Sequence, residues 1–251
     1  MNVRIFSAMH KGPRDKQEDC LLVGADIFQA DAFEKKSSFE AESAIFAACD
    51  GLGGHEAGDC ASRFVCQQLK ALHQANRFQA QTIPLMLKNI QDASRQQLPP
   101  NCGTTLAGLF VSRQRLYVFN AGDSRIYKID ENQAHYASHD HSVVQGLLDK
   151  YLILQETARR HPYKNLIEFG IGPLFVDAWE HHNVFVHTEN FNPPLTFLLC
   201  SDGLSDQLTT EEIHRYLMPD PVKNGKALLS AVSEKGFIDN TSFIIIRFDQ
   251  T

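Results

Sequence analysis

The sequence lacks several features that mark particular classes of protein. Its six cysteines form no CxxC pair, which argues against a disulfide framework and favours reduced, buried thiols. No stretch approaches the ~20 apolar residues of a membrane span, and residues 1–20 have no apolar core of the signal-peptide type. No run of lysine or arginine stands out, and the net charge is -6, so we expect no nucleic-acid partner. These absences together predict a cytoplasmic protein without membrane attachment.

The composition and the apolar patterning indicate an ordinary globular protein rich in strands. The 251 residues are 43% hydrophobic and 22% charged, enough for one large domain or two small ones. Without repeats or a low-complexity linker, one domain over 1–251 is the simplest interpretation. Apolar residues at helical spacing predict helices from about 56 to 75 and from about 82 to 98. The polar stretch 30–42 is predicted to be a surface connection.

The most informative stretch is CDGLGGHEA, from Cys49 to Ala57, which follows the apolar run SAIFAA. That run predicts a buried strand, and Asp50 places a charge at its end, where only a partner would justify it. Gly51 has no side chain to keep another group away from the backbone. A hard cation such as Mg²⁺ or Mn²⁺ suits this arrangement of carboxylate, backbone carbonyl and water. A plain strand-to-helix turn with a capping aspartate fits the same residues.

Four further aspartates lie at the ends of apolar strands or just before them. They are Asp19, Asp123, Asp202 and Asp239. Each taken alone is an ordinary turn residue, but converged carboxylates repel one another unless a cation lies among them. Because no cysteine or histidine cluster has zinc-ligand spacing, oxygen ligation of Mg²⁺ or Mn²⁺ is favoured. The His139-Asp140-His141 sequence lies before a predicted helix, and we expect these residues on the surface, with Asp140 as the helix cap.

Six short motifs occur in order along the chain: RDKQED, CDGLGGHEAG, CGTTL, NAGDSRIY, LCSDGLSD and DNTSF. Taken in this order, they resemble those of the metal-dependent serine/threonine protein phosphatases, the protein phosphatase 2C or PPM family, in its bacterial form. The resemblance covers nearly the whole chain. It implies an α+β fold in which a central β-sandwich of two antiparallel sheets is flanked by helices on both sides.

The resemblance also implies a role for each matching residue. Asp50 would bridge two Mg²⁺ or Mn²⁺ ions, and the carbonyl of Gly51 would bind one of them. Asp202 and Asp239 would complete the other site, and Asp123 would help to hold a third, weaker metal. Asp19, with Glu18 beside it, would hold the waters around the metals. Arg14 would bind the phosphate, for which a guanidinium offers bidentate bonds.

Two departures from the family pattern limit what the resemblance carries over. Leu52 stands where eukaryotic relatives have a histidine that is a candidate general acid. His55 is then a candidate catalytic residue, although it also fits a role in capping or packing at the helix start. The 141–172 segment corresponds to the flap of bacterial relatives, but its HPYKNLIEFGIG sequence differs from the commoner form. Substrate preference therefore does not transfer.

Three functions remain to be compared. The first is a phosphatase that hydrolyses phosphoserine and phosphothreonine in proteins, opposing a bacterial serine/threonine kinase and acting as a monomer. The second is a phosphoprotein-binding module without turnover, and the third is a metal hydrolase of small phosphodiesters. We favour the first, because the sequence keeps Arg14 and every core carboxylate.

Overall fold

The computed structural model describes residues 1–53, 57–112 and 114–250. The strands, in chain order, are β1 (Asn2–His10), β2 (Cys20–Val23), β3 (Asp26–Phe28), β4 (Ala32–Glu40), β5 (Ser43–Cys49), β6 (Gly51–Leu52), β7 (Gly103–Thr104), β8 (Leu106–Ser112), β9 (Arg115–Ala121), β10 (Arg125–Ile129), β11 (Ala134–Tyr136), β12 (Phe185–Asn190), β13 (Leu195–Cys200) and β14 (Thr241–Asp249). The helices are α1 (Gly58–Gln74), α2 (Ile83–Gln97), α3 (Val143–Asp149), α4 (Gln155–Ala158), α5 (Asp202–Ser205), α6 (Thr210–Leu217) and α7 (Gly225–Lys235).

Two six-stranded antiparallel sheets form the centre of the fold. One has the strand order β11-β10-β13-β14-β1-β4, and the other has the order β12-β9-β8-β5-β2-β3. Strands β6 and β7 pair separately beside the second sheet. Apolar residues from the two inner faces pack together between the sheets. The outer face of the first sheet is covered by α6 and α7, and that of the second by α1 and α2. The expected α-β-β-α arrangement is confirmed.

Burial on both faces explains why the central strands read as continuous apolar runs. In β5, Ile45 and Ala47 pack under the helices, whereas Ala44, Phe46 and Ala48 point between the sheets. The helix boundaries follow local signals. In α6, for example, the Thr209 and Glu212 side chains each accept a bond from the other's backbone N–H, forming a capping box.

The prediction of a surface connection over 30–42 is wrong, because strand β4 occupies most of it. Strand β4 pairs only with β1, so it forms the edge of its sheet. Phe33 and Phe39 are half-buried against the core, while Lys35 and Lys36 are exposed. Exposed lysines are typical of edge strands, where they discourage pairing with other chains. These two consecutive lysines also interrupt the alternation of apolar and polar residues that would indicate a strand in the sequence.

None of the helices in the described ranges is long and apolar enough to cross a membrane. Five of the cysteines are buried, as predicted for the thiols, and they are Cys20, Cys49, Cys66, Cys102 and Cys200. The prediction is wrong for Cys60, which is exposed in α1.

Candidate metal centre

The predicted carboxylates come from both sheets and meet at one end of the sandwich. Asp19 directly precedes β2 and Asp50 directly follows β5, and the two lie side by side because Cys20 pairs with Cys49 in the β2–β5 register. In the other sheet, Asp202 follows β13 and Asp239 precedes β14, two strands that are also paired. A hydrogen bond of 2.8 Å from the Ser201 hydroxyl to Asp19 Oδ2 joins the two sheets here.

Asp19 is fully buried, with 0% of its surface exposed. Its Oδ2 accepts from Ser201, whose own oxygen accepts the backbone N–H of Ser242 at 3.0 Å. Its Oδ1 has no hydrogen-bond partner within the described residues. Burial raises the pKa of Asp19 to about 7 despite the hydroxyl contacts, and the charges of Asp202 and Asp239 raise it further.

Asp50 and Gly51 are held through their backbone. The N–H of Asp50 donates to Thr105 Oγ1 at 3.0 Å, and its carbonyl accepts from Thr104 Oγ1 at 2.8 Å. A Cβ at position 51 would lie 2.2 Å from the Gly58 carbonyl oxygen, so the backbone here approaches too closely for any residue but glycine. Burial raises the pKa of the Asp50 carboxyl well above its usual value, and the nearby charge of Asp19 adds to this.

Asp123 and Asp202 add two more carboxylates whose hydrogen bonding is incomplete. Each has a buried Oδ1 that makes no hydrogen bond to the described residues. Burial raises the pKa of Asp202 to about 6, with Asp239 as the next cause. Burial also raises the pKa of Asp123 well above its usual value, followed by the charge of Asp202.

Buried carboxylate oxygens that lack partners and disfavour one another's ionisation fit hard divalent cations. Oxygen donors suit Mg²⁺ and Mn²⁺ rather than softer metals. The cluster is not a closed cage, since no three His, Cys, Asp or Glu side chains of the described residues stand at ligand spacing. Within the cluster, Asp239 Oδ2 is bound by Arg14. Mg²⁺ and related ions keep several waters, so an open arrangement of this kind suits them.

Arg14 lies beside the cluster and donates to Asp239 Oδ2 at 2.5 Å. That contact raises the pKa of the guanidinium. The Arg14 side chain is 55% exposed, so it is accessible to a ligand from solvent. Burial raises the pKa of Glu18, while the positive charge of Arg14 acts in the opposite direction.

Asn240 is a functional residue that the sequence interpretation missed. Its side-chain NH₂ donates to the carbonyls of Lys11 and Lys16 at 2.7 and 3.0 Å, and its oxygen accepts the N–H of Glu18 at 2.7 Å. It thereby fixes the loop that carries Arg14. Its place directly after Asp239 in the DNTSF motif was a signal, but its partners lie more than 220 residues away.

The interpretation of Asp140 as an exposed helix cap is wrong. Asp140 is buried and accepts two bonds from Arg125, at 2.9 and 2.6 Å, together with one from the Tyr136 hydroxyl. The cap of α3 is Ser142. Because Arg125 lies two residues after Asp123, the ion pair holds the turn that carries this carboxylate.

The 141–172 segment covers one side of the cluster. A cavity of about 350 Å³ lies beneath it, lined by Asp123 and Asp202 and, from the segment, by Arg159 and Lys164. Lys164 forms an ion pair of 2.7 Å with Asp206, directly after α5. The other predicted catalytic residue, His55, lies outside the described residues.

The comparisons with known proteins agree with this arrangement. The family model for protein phosphatase 2C matches residues 23–226. The serine/threonine phosphatase stp of Listeria monocytogenes is 30% identical over 220 residues, which cover 82% of this chain and 85% of that protein. The crystal structure of Stp1 from Staphylococcus aureus, a serine/threonine phosphatase, is 26% identical and superposes with a TM-score of 0.79 over 98% of this chain and 95% of that one. The catalytic domain of PstP in complex with two manganese ions shares the fold, at 23% identity and a TM-score of 0.75 over 100% of both chains.

The four-layer sandwich and its acidic end define a class of protein that binds hard divalent cations between two sheets. Within that class, the chain belongs to the protein phosphatase 2C family.

Proposed function

We propose that this chain is a Mn²⁺- or Mg²⁺-dependent phosphatase that removes phosphate from phosphoserine and phosphothreonine in proteins. The observation that carries the proposal is the group of buried, partly unpartnered carboxylates directly beside the accessible guanidinium of Arg14. Cations complement the negative carboxylates, and a phosphate dianion complements the positive guanidinium. The names of the relatives support the same reaction.

Each residue has a defined role in the proposed reaction. Asp50, Asp202 and Asp239, with the carbonyl of Gly51, would hold two cations, and Asp123 would contribute to a third. When bound, two such ions neutralise phosphoryl charge and lower the pKa of a water towards neutrality. Asp19 is fixed by the Ser201 hydroxyl, and its Oδ1, which has no partner among the described residues, would accept hydrogen bonds from water around the cations. Glu18 lies next to it.

Arg14 binds and orients the phosphate. Its partner in the structure is Asp239. If Asp239 held a cation, the guanidinium would be free to form two parallel bonds to phosphoryl oxygens. Asn240 keeps the Arg14 loop in place during this exchange. Fixed donors of this kind reduce the reorganisation needed in the transition state.

We also propose that residues 1–251 form one catalytic domain that acts as a cytoplasmic monomer opposite a serine/threonine kinase. The continuous core between the two sheets supports the single domain. The unbridged thiols of Cys49 and Cys66, 3.7 Å apart, support a reducing compartment.

The test is phosphate release from a phosphothreonine peptide with Mn²⁺ and then with excess EDTA. Two aspartates at the two ends of β14 each pair with an arginine and give a matched comparison. Asp239, just before the strand, pairs with Arg14, and Asp249, its last residue, pairs with Arg4. Asp239→Asn should abolish metal-dependent release, whereas Asp249→Asn should keep it. Peptide binding without release under any divalent metal would favour the binding module, and faster cleavage of a small phosphodiester would favour the third function.

A further inference from the structure

A groove of about 390 Å³ opens next to the candidate metal centre. Its apolar lining comes from Leu52, Ile167, Leu174, Phe175 and Ala178, and we call it the Leu52 groove. Asn165 and Glu168 complete it, and both are exposed. None of these residues has a role in the proposed metal or phosphate chemistry.

The groove lies close to the site, since Asn165 lines both the groove and the cavity beside Asp123 and Asp202. Leu52 follows Asp50 by two residues along an extended stretch, β6, and a strand advances about 3.3 Å per residue. The two positions are therefore about 7 Å apart. An extended substrate covers the same distance in one to two residues, so a residue that flanks the phosphorylated one can reach the groove.

The walls of the groove are fixed by hydrogen bonds to the core. Leu52 pairs with Gly103 in the small β6–β7 sheet, and Leu174 donates its N–H to the Cys102 carbonyl at 3.0 Å. The buried Gln91 side chain holds Gly172 from both sides, accepting its N–H at 2.6 Å and donating to its carbonyl at 3.0 Å. A groove that is already formed loses little conformational entropy on binding.

Apolar side chains are exposed throughout this region. Six large hydrophobic residues between 151 and 174 are more than half exposed, and they include Leu154 at 75%, Leu166 at 51% and Leu174 at 51%. Of these six residues, Leu174 lines the groove. Exposed apolar surface beside a site commonly marks a region that a partner covers. Glu168, at the rim, would repel an acidic residue at this position of a substrate.

We propose that the Leu52 groove binds an apolar side chain that flanks the phosphorylated residue of a protein substrate. The enzyme thereby selects phosphosites with a leucine-like neighbour one or two positions away. This inference rests on the proposed phosphatase function and adds a substrate preference to it. Leu174 is the residue that determines the preference, because it is exposed and contributes a wall of the groove.

The test compares phosphothreonine peptides that differ only in one flanking residue, which is Leu, Ser or Glu at positions −2, −1, +1 or +2. With Mn²⁺, we expect kcat/KM for Leu at one of these positions to exceed that for Ser about fivefold, as partial burial of a leucine predicts. Leu174→Ser should remove the preference. Leu174→Lys should shift it towards Glu.

The control is Leu154→Ser, an exposed leucine of the same region that does not line the groove. It should keep the preference, and all three variants should cleave p-nitrophenyl phosphate, which has no flanking residue, as the wild type does. Equal cleavage of all peptides by the wild type would overturn the inference while leaving the phosphatase function intact. Loss of the preference in Leu154→Ser would also overturn it. If no peptide is cleaved with any divalent metal, the proposed function fails, and the inference fails with it.

Discussion

Replacement of Asn240 by alanine should weaken both the fold and phosphate binding, because one buried side chain holds the loop that carries Arg14. The substitution leaves two carbonyls and one N–H without their partner. A buried polar group without a partner costs about 1–3 kcal/mol, and water can reach part of this half-buried loop, so we expect a total loss of about 2–4 kcal/mol. Urea unfolding at constant metal concentration measures the loss.

The kinetic effect identifies the function of the loop. Displacement of Arg14 should raise the inhibition constant for inorganic phosphate and the KM for phosphopeptide by about tenfold, since small errors in position are costly in such sites. Asn240→Asp should behave similarly, because an oxygen then faces the carbonyls of Lys11 and Lys16.

Asn120 supplies a matched control for this prediction. It is also buried, and its side chain bonds the backbone of Gly122 and His139 through three contacts of 2.7 to 3.2 Å. Asn120→Ala should therefore lose similar stability but keep the phosphate inhibition constant within about twofold. An Asn240→Ala protein with wild-type stability and phosphate affinity would refute the reasoning, as would an equal loss of phosphate affinity in Asn120→Ala.

Three other predictions follow from the site and its surroundings. In EDTA, the pKa of Asp19 is about 7 in the folded protein and near 3.8 in the unfolded chain. The free energy of unfolding should therefore fall as the pH rises from 5 to 8, by about 3 kcal/mol, and Asp19→Asn should flatten that profile in urea titrations. Gly51→Ala should lower the free energy of unfolding by about 2 kcal/mol or more and remove most of the activity, because the added Cβ meets the Gly58 carbonyl. In the control Gly146→Ala, in α3, the added Cβ lies 3.8 Å from its nearest neighbour, so thermal stability should stay equal or rise slightly. Asp140→Asn should lower the free energy of unfolding by about 3 kcal/mol, because Arg125 loses a buried partner. Glu189→Gln removes the partner of Lys128, which is more exposed than Asp140, and should cost under about 1 kcal/mol. Equal losses in the two variants would contradict this account.

The positions of the candidate ligands could be predicted because the central strands are buried on both faces. An apolar run such as that of β5 ends abruptly where it meets a charge, and Asp50 and Asp202 both stand at such ends. The resemblance of the motifs then supplied the sandwich and its layers. Strand β4 was missed because only Phe33 and Phe39 of this edge strand contact the core, and lysines hide the alternation.

The contacts between distant parts of the chain could not be predicted from local patterns. Arg14 and Asp239 are 225 residues apart, and each looks like an ordinary turn residue in its own segment. Asp140 resembled a helix cap because Ser142 and α3 follow it, yet its charge is balanced by Arg125, 15 residues earlier at the start of β10. Such pairings depend on the order of strands in the sheet, which the spacing of residues along the chain does not reveal.

The most direct test of the central claim is to count the metal ions that the cluster holds. Calorimetric titration of the EDTA-treated protein with Mn²⁺ should give two bound ions, with a third at higher concentration if Asp123 contributes as proposed. Asp50→Asn should reduce that number, because both sites lose the residue expected to bridge them, whereas Asp249→Asn should leave it unchanged. A wild-type protein that binds no Mn²⁺, or an Asp50→Asn protein that binds as many ions as the wild type, would contradict the assignment of these carboxylates as a metal centre.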